Sequence, residues 1–237
     1  IAAREGLVSI HFCNAAGSVL VAPFGSAERR FSTAPSCVGV PLAGREPLLL
    51  DFATSIVAEG KVFVASQGGR PIPHDALIGP DGPSDDARLL YGDYPTTGKR
   101  DLSAGKGAIR AFGDHKGSGL ALMCELLGGA LSGTGATRPD RGRVANGMFS
   151  LYIDPARLDP AGFFPDEVSR YVGFVKLAKP APNAQVLMPG EPEQAMRAQR
   201  LREGVPLPDE TWQSLLDAGR LAGLNAAWAE SAQALRK

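Results

Sequence analysis

Cysteine, histidine and tryptophan are scarce in this chain of 237 residues, which holds three, three and two of them. Cys13, Cys37 and Cys124 form an odd set without C-x-x-C spacing, and each lies in an apolar run. That excludes a disulfide framework and predicts reduced core thiols, which suit a cytoplasmic location. His11, His74 and His115 stand far apart with no H-x-x-x-H pair, so no metal site is expected. Neither sign of charge is in surplus, with 25 Lys and Arg against 25 Asp and Glu. The basic patch that draws nucleic acid or an anionic membrane is therefore missing. No apolar run is long enough to cross a bilayer, and the longest candidate carries Glu125 at its middle. No G-x-S-x-G stands in a strand-turn-helix setting, which removes the nucleophile-elbow hydrolases. The start, IAAREGLVSI, has no Met, no basic leader and no signal-type apolar stretch. It reads as a helix end turning at Gly6 into a strand, so the chain is expected to begin in mid-fold.

Glycine and turn residues are plentiful, and short apolar runs lie between them. LVSIHFCN (7–14), SCVGVPL (36–42), PLLLDFATS (47–55) and KVFVAS (61–66) predict strands. The stretch AAGSVLVAPFGSAERRFSTAP between the first two reads as a long loop, and loops of that length are more often functional than idle. Residues 67–106 hold most of the turn chemistry, with one helical turn expected at 85–91. Helices are predicted at about 117–132, 165–178, 191–203 and 208–235, and an alternating strand at 143–155. With no repeat, heptad seam or linker, the pattern predicts a single α/β domain over residues 1–237.

The segment GDHKGSGLALMCELLGGALSG poses the main chemical question. Its glycines 117, 119, 128, 129 and 133 each cost roughly 1 kcal/mol against alanine in a helix interior, so close approach to another backbone or a ligand is expected to repay them. A dinucleotide fingerprint is excluded, because Leu122 takes the third glycine position and no hydrophobic strand precedes the motif. What remains is a basic pair, His115 and Lys116, at a helix start, where free N–H groups favour an anion. The alternative is a solvated turn with Asp114 as the cap. In LLLDFATS, Asp51, Thr54 and Ser55 end a strand-like run, where a carboxylate can take ribose hydroxyls and the two hydroxyls a phosphate. Equally, the trio can cap the next turn. His11, alternating with Ile10 and Phe12, reads as a hydrogen-bonded structural histidine.

VSIHFCNAAG, VAPFGSAERRFSTAP, LLLDFATSIVAEGKV, GDHKGSGLALMCELLGGALSG, NGMFSLYIDP and MPGEPE, in that order along the chain, resemble the malate/L-lactate dehydrogenase family of the non-Rossmann type, the group that holds hydroxycarboxylate and ureidoglycolate dehydrogenases. The resemblance implies a three-layer α/β arrangement around a mixed β-sheet, with a non-Rossmann NAD(P)-binding fold. It also implies a homodimer and hydride transfer between a nicotinamide cofactor and C2 of a 2-hydroxy or 2-oxo acid. Carried over by motif, Asp51, Phe52, Ala53, Thr54 and Ser55 lie along the adenosine side of the cofactor. His115 and Lys116 meet its phosphates, and Gly190, Glu191 and Pro192 form a third cofactor-contacting loop. Thr33 and Pro35 belong to the turn on the nicotinamide and substrate side. With no basic residue adjoining Asp51, repulsion of a 2′-phosphate favours NAD over NADP.

Three departures bear on activity. The family's helical N-terminal region, with the S-H-G histidine that gives a proton to the oxo group, is expected upstream of Ile1. A developing alkoxide needs such a donor, so residues 1–237 by themselves are expected not to turn over. The family's G-T-N-P turn is here Ser32-Thr33-Ala34-Pro35, without the Asn amide. An acidic position after P-x-P is here Gly79, with Asp75 and Asp81 nearby. The competing reading is a truncated paralogue that folds and binds nucleotide or a partner without catalysis.

Overall fold

Alternation in VSIHFCNAA builds β1, Val8–Ala16, the central strand of the first sheet. In the computed structural model it pairs antiparallel with β3, Pro35–Val40, and with β8, Ala145–Ile153, while β3 pairs antiparallel with β4, Leu48–Ala53. The order is β4-β3-β1-β8. A second sheet joins β2 (Val21–Ala22), β7 (Ala108–Arg110), β5 (Leu77–Gly79) and β6 (Gly82–Ser84), in the order β2-β7-β5-β6. Only its β2–β7 pair is parallel. The α/β class expected from sequence is present, with two four-stranded sheets, one antiparallel and one mixed.

The structure describes residues 1–66, 69–92, 104–140, 144–207, 209–225, 227–228 and 231. They divide into two compact units, Ile1–Gly190 and Glu191–Lys237, where the sequence predicts one domain. The second unit holds α6 (Glu191–Glu203) and α7 (Asp209–Leu221). Helix α6 buries none of its residues, so its polar sequence carries no apolar stripe to weld it to a core.

Two expectations are corrected by packing. KVFVAS is not a strand but lies in the helix α1, Glu59–Ser66. A short apolar run fits a strand or a buried helical turn equally, and here Val62 is fully buried in the core of the second sheet, with Phe63 packed edge-on to Tyr91. The Tyr91 hydroxyl donates to Glu59 Oε1 at 2.6 Å, tying α1 to the short helix α2, Arg88–Tyr91. The long loop before β3 also contains β2, whose Val21 is completely buried beside Ile109 and Leu77. Leu20, Val21 and Ala22 of that stretch are interior, whereas Phe24 and Gly25 are exposed.

The glycine-rich segment does form a helix, in two windings. Helix α3, His115–Cys124, continues as a wider π turn over Glu125–Leu131, ending at Gly133 in a left-handed conformation. The expectation of close approach holds at three glycines. A Cβ on Gly117 would stand 2.2 Å from the Phe112 carbonyl oxygen, and one on Gly128 would stand 2.9 Å from that of Phe12. One on Gly129 would meet the Asn14 amide at 2.5 Å. Gly119 and Gly133 face open space, so no close approach repays their cost. The helix therefore lies almost in backbone contact with β1. In chain order, α4 (Pro155–Leu158) and α5 (Phe163–Lys176) follow β8.

Candidate functional site

β4 delivers five of the sequence-predicted residues. Asp51 is exposed, paired across the sheet with Cys37, and Phe52 meets Phe112 edge-to-face at 5.5 Å. Past the end of the strand, Thr54 is fully buried. Its N–H donates to the Thr33 carbonyl at 3.1 Å, and its hydroxyl lies 2.9 Å from the carbonyl of Ala34. Ser55 donates its hydroxyl to the Val57 carbonyl at 2.8 Å. The hydroxyls offered to a phosphate on sequence grounds thus point at main-chain oxygens inside the fold, and both residues act as struts.

The strut reaches two ways. On one side it holds the 32–35 turn, in which Ala34 has a φ of +26°, a conformation non-glycine residues rarely adopt. On the other side the Thr54 carbonyl accepts from the N–H of Phe112 at 3.0 Å and lies 3.0 Å from where a Gly117 side chain would begin. Only glycine lets the first turn of α3 settle here. The 33–34 turn, Thr54 and the Phe112–Gly117 stretch that leads into α3, remote in sequence, therefore meet around one threonine.

At the start of α3, His115 and Lys116 are both exposed. Asp114 occupies the capping position, but its side chain makes no cap bond and accepts instead from Arg110 at 2.9 Å. The same guanidinium is paired with Asp75 at 2.8 Å. Of the two acids near Gly79, Asp75 is thus committed to holding Arg110. The 23–27 loop lies over the helix start, with the Phe24 N–H donating to Ser118 Oγ at 3.0 Å and its ring edge-on to His115 at 5.9 Å. A cavity of about 400 Å³ opens beside it, lined by Phe24, Ser26, Ile78, Gly79, Arg110 and Asp114 among others. The third predicted loop is anchored to β4, where the Leu49 N–H donates to the Pro189 carbonyl at 3.1 Å. Gly190, next in line, is buried with φ +97° and closes the first unit, while Glu191 and Pro192 open α6 in the second.

Sequence reasoning missed one heavily connected side chain. Glu125, only 3% exposed, accepts from five donors. Ser32 Oγ (2.8 Å), Ser32 N–H (3.2 Å) and Thr137 Oγ1 (2.6 Å) reach Oε1, while Thr137 N–H (2.8 Å) and Asn14 Nδ2 (3.0 Å) reach Oε2. Burial pushes this carboxyl up, but the hydrogen bonds from Thr137, Asn14 and Ser32 together outweigh it and hold the group below the usual carboxylate range. Asn14 is equally engaged, donating to the Gly135 carbonyl and accepting from the Gly147 N–H. The one signal in the sequence was a charged residue in an otherwise apolar helix. His11 behaves as read, with Nδ1 2.8 Å from Ser150 Oγ and an edge contact to Tyr152. Among the described residues no three His, Cys, Asp or Glu side chains are placed to hold a metal.

A sequence profile for malate/L-lactate dehydrogenase matches residues 1–216. The chain belongs to the malate/L-lactate dehydrogenase family. It is 37% identical over 233 residues to hydroxycarboxylate dehydrogenase B of Escherichia coli (strain K12), covering 94% of this chain and 60% of that protein. It is 39% identical over 206 residues to L-lactate dehydrogenase of Cupriavidus necator, covering 84% and 56%. A solved E. coli structure assigned to malate/lactate dehydrogenase superposes with a TM-score of 0.84 at 35% identity, covering 98% of this chain and 63% of that one. The Δ1-piperideine-2-carboxylate reductase of Pseudomonas syringae pv. tomato gives a TM-score of 0.68 at 28% identity, over 90% of this chain and 60% of that one. The chain spans about 60% of the length of the first of these curated relatives.

Proposed function

We propose that this member of the malate/L-lactate dehydrogenase family serves an NAD(P)-dependent oxidoreductase that moves a hydride between a nicotinamide cofactor and C2 of a 2-hydroxy or 2-oxo acid. The observation that carries the reading is the meeting at Thr54 of the 33–34 turn and the Phe112–Gly117 stretch, which bears His115 and Lys116, with Gly190 following a Pro189 anchored to β4.

The residues present suit such a cofactor. Lys116 and His115 are exposed donors on the first turn of a ten-residue helix, the place where a diphosphate gains from free N–H groups as well as from a cation. The exposed Asp51 carboxylate is an acceptor for ribose hydroxyls. It also repels a 2′-phosphate, which favours NAD. When bound, the nicotinamide supplies or receives the hydride. The protein's share here is to bind and orient. Thr54, Ser55 and Gly117 fix the backbone on which the contacting groups stand, and the 33–35 turn borders the reacting end. A homodimer belongs to the same reading, supported by the outer strand β8, whose Met148 and Tyr152 are more than half exposed. A cytoplasmic setting is supported by three free cysteines, and among the described residues no helix is long and apolar enough to cross a membrane.

Titration of this chain with NADH, followed by cofactor fluorescence, tests the binding half. A saturable enhancement or blue shift is expected, and a flat titration with both NADH and NADPH overturns the reading. For residues 1–237 alone, NADH oxidation with pyruvate, oxaloacetate, 2-oxoglutarate or phenylpyruvate is expected at background, and the same panel with the S-H-G segment supplied ahead of Ile1 identifies the acid.

A further inference from the structure

We propose that Glu125 is a positioning residue for the nicotinamide end of the site, acting through Ser32 on the 33–35 turn. The inference rests on the cofactor reading above and adds to it a residue that lies wholly inside the protein.

The chain of contacts is short. Glu125 holds Ser32 twice, at its N–H and at its hydroxyl. The Ser32 hydroxyl in turn accepts from the N–H of Ala34 at 3.2 Å and from that of Ala15 at 3.3 Å. Ala34 is therefore clamped from both ends, by Ser32 at its N–H and by the Thr54 hydroxyl at its carbonyl, in the positive-φ conformation that an alanine does not adopt unaided. Releasing the Ser32 end frees Ala34 to relax, and Thr33 and Pro35 move with it. The carboxylate's other ligands, Asn14 and both donors of Thr137, belong to β1 and to the loop after the π turn, so the turn is referenced to the sheet itself.

The carboxylate is required because every partner donates. Five donors fill the acceptor sites of two oxygens. A glutamine at 125 must aim its NH2 at either Ser32 N–H or Thr137 N–H, main-chain donors that cannot turn round.

The test compares two ligands of the same protein. ADP spans only the adenosine and phosphate half of the cofactor, whereas NADH reaches the turn as well. Ser32→Ala and Glu125→Gln are each expected to weaken NADH about tenfold, the loss of one hydrogen-bonded constraint, while ADP affinity stays within about twofold of wild type. The double variant should be no worse for NADH than the worse single one, since both cut the same link. A purely structural role lowers the melting temperature and moves both ligands together or neither, and either result overturns the proposal. Should Glu125→Gln fail to fold, Ser32→Ala decides alone. If the wild-type chain binds neither NADH nor ADP, the cofactor reading falls and takes this inference with it. If wild type binds both and the ratio of affinities is unchanged in the variants, only the positioning role is lost.

Discussion

The hydroxyl of Thr54 stands 2.9 Å from the carbonyl oxygen of Ala34, twenty residues earlier in the chain, so the end of β4 and the 32–35 turn form one hydrogen-bonded unit. Replacing Thr54 with valine keeps the shape and removes the donor. The expected cost is about 1–3 kcal/mol for the abandoned buried carbonyl, read as a lower midpoint in urea unfolding. A valine variant as stable as wild type would show that the clamp contributes nothing.

Two glycines of α3 make opposite predictions. Gly117→Ala places a methyl 2.2 Å from the Phe112 carbonyl and 3.0 Å from that of Thr54, both main-chain atoms, and should destabilise by roughly 1–3 kcal/mol or more. Gly119→Ala meets nothing within 4 Å on the same helix and should stabilise by about 0.5–1 kcal/mol. Thermal unfolding of the pair checks both signs at once.

Lys116→Ala is expected to weaken NADH and ADP alike by about tenfold, because a phosphate contact serves either ligand. Unchanged affinity in the fluorescence titration removes Lys116 from the phosphate site.

Glu125 gives the protein an acid limit. Its carboxyl is held lower in the fold than the roughly 4.3 expected of an unfolded glutamate, so its stabilising share is complete above that value and is lost as pH falls through the folded one. Melting temperatures measured from pH 7 down to about pH 3 should fall steeply for wild type below about pH 4.3. The gap between wild type and Glu125→Gln should narrow over the same interval, and a constant gap would argue against the network.

Much of the first sheet was legible in the sequence, because period-two alternation in VSIHFCNAA and in NGMFSLYI, with its aromatic residues, leaves little choice of element. The grouping of candidate residues comes from motif resemblance, while the contacts around Thr54 join the 33–34 turn to Phe112 and Gly117. What the sequence hid follows from range and from ambiguity. KVFVAS reads equally as strand or helix until Val62 is seen to be enclosed. Glu125 finds Ser32 and Asn14 at separations of 93 and 111 residues, beyond any local pattern. The hydroxyls of Thr54 and Ser55 have the right chemistry for phosphate, and only their burial reveals that they serve the backbone.

The π turn over Glu125–Leu131 makes the helix sensitive to length as well as to composition. Its winding closes on the fifth residue rather than the fourth, so it absorbs one more residue than an ordinary α turn in bringing Gly128 and Gly129 against β1. Deleting a residue ahead of Gly128 with the winding kept would move every later position by one place relative to the strand. Ala130 would then arrive where Gly129 now meets the Asn14 amide. Spacing and glycine placement are thus one specification, and this segment should tolerate exchange of its exposed side chains far better than any change in its number of residues.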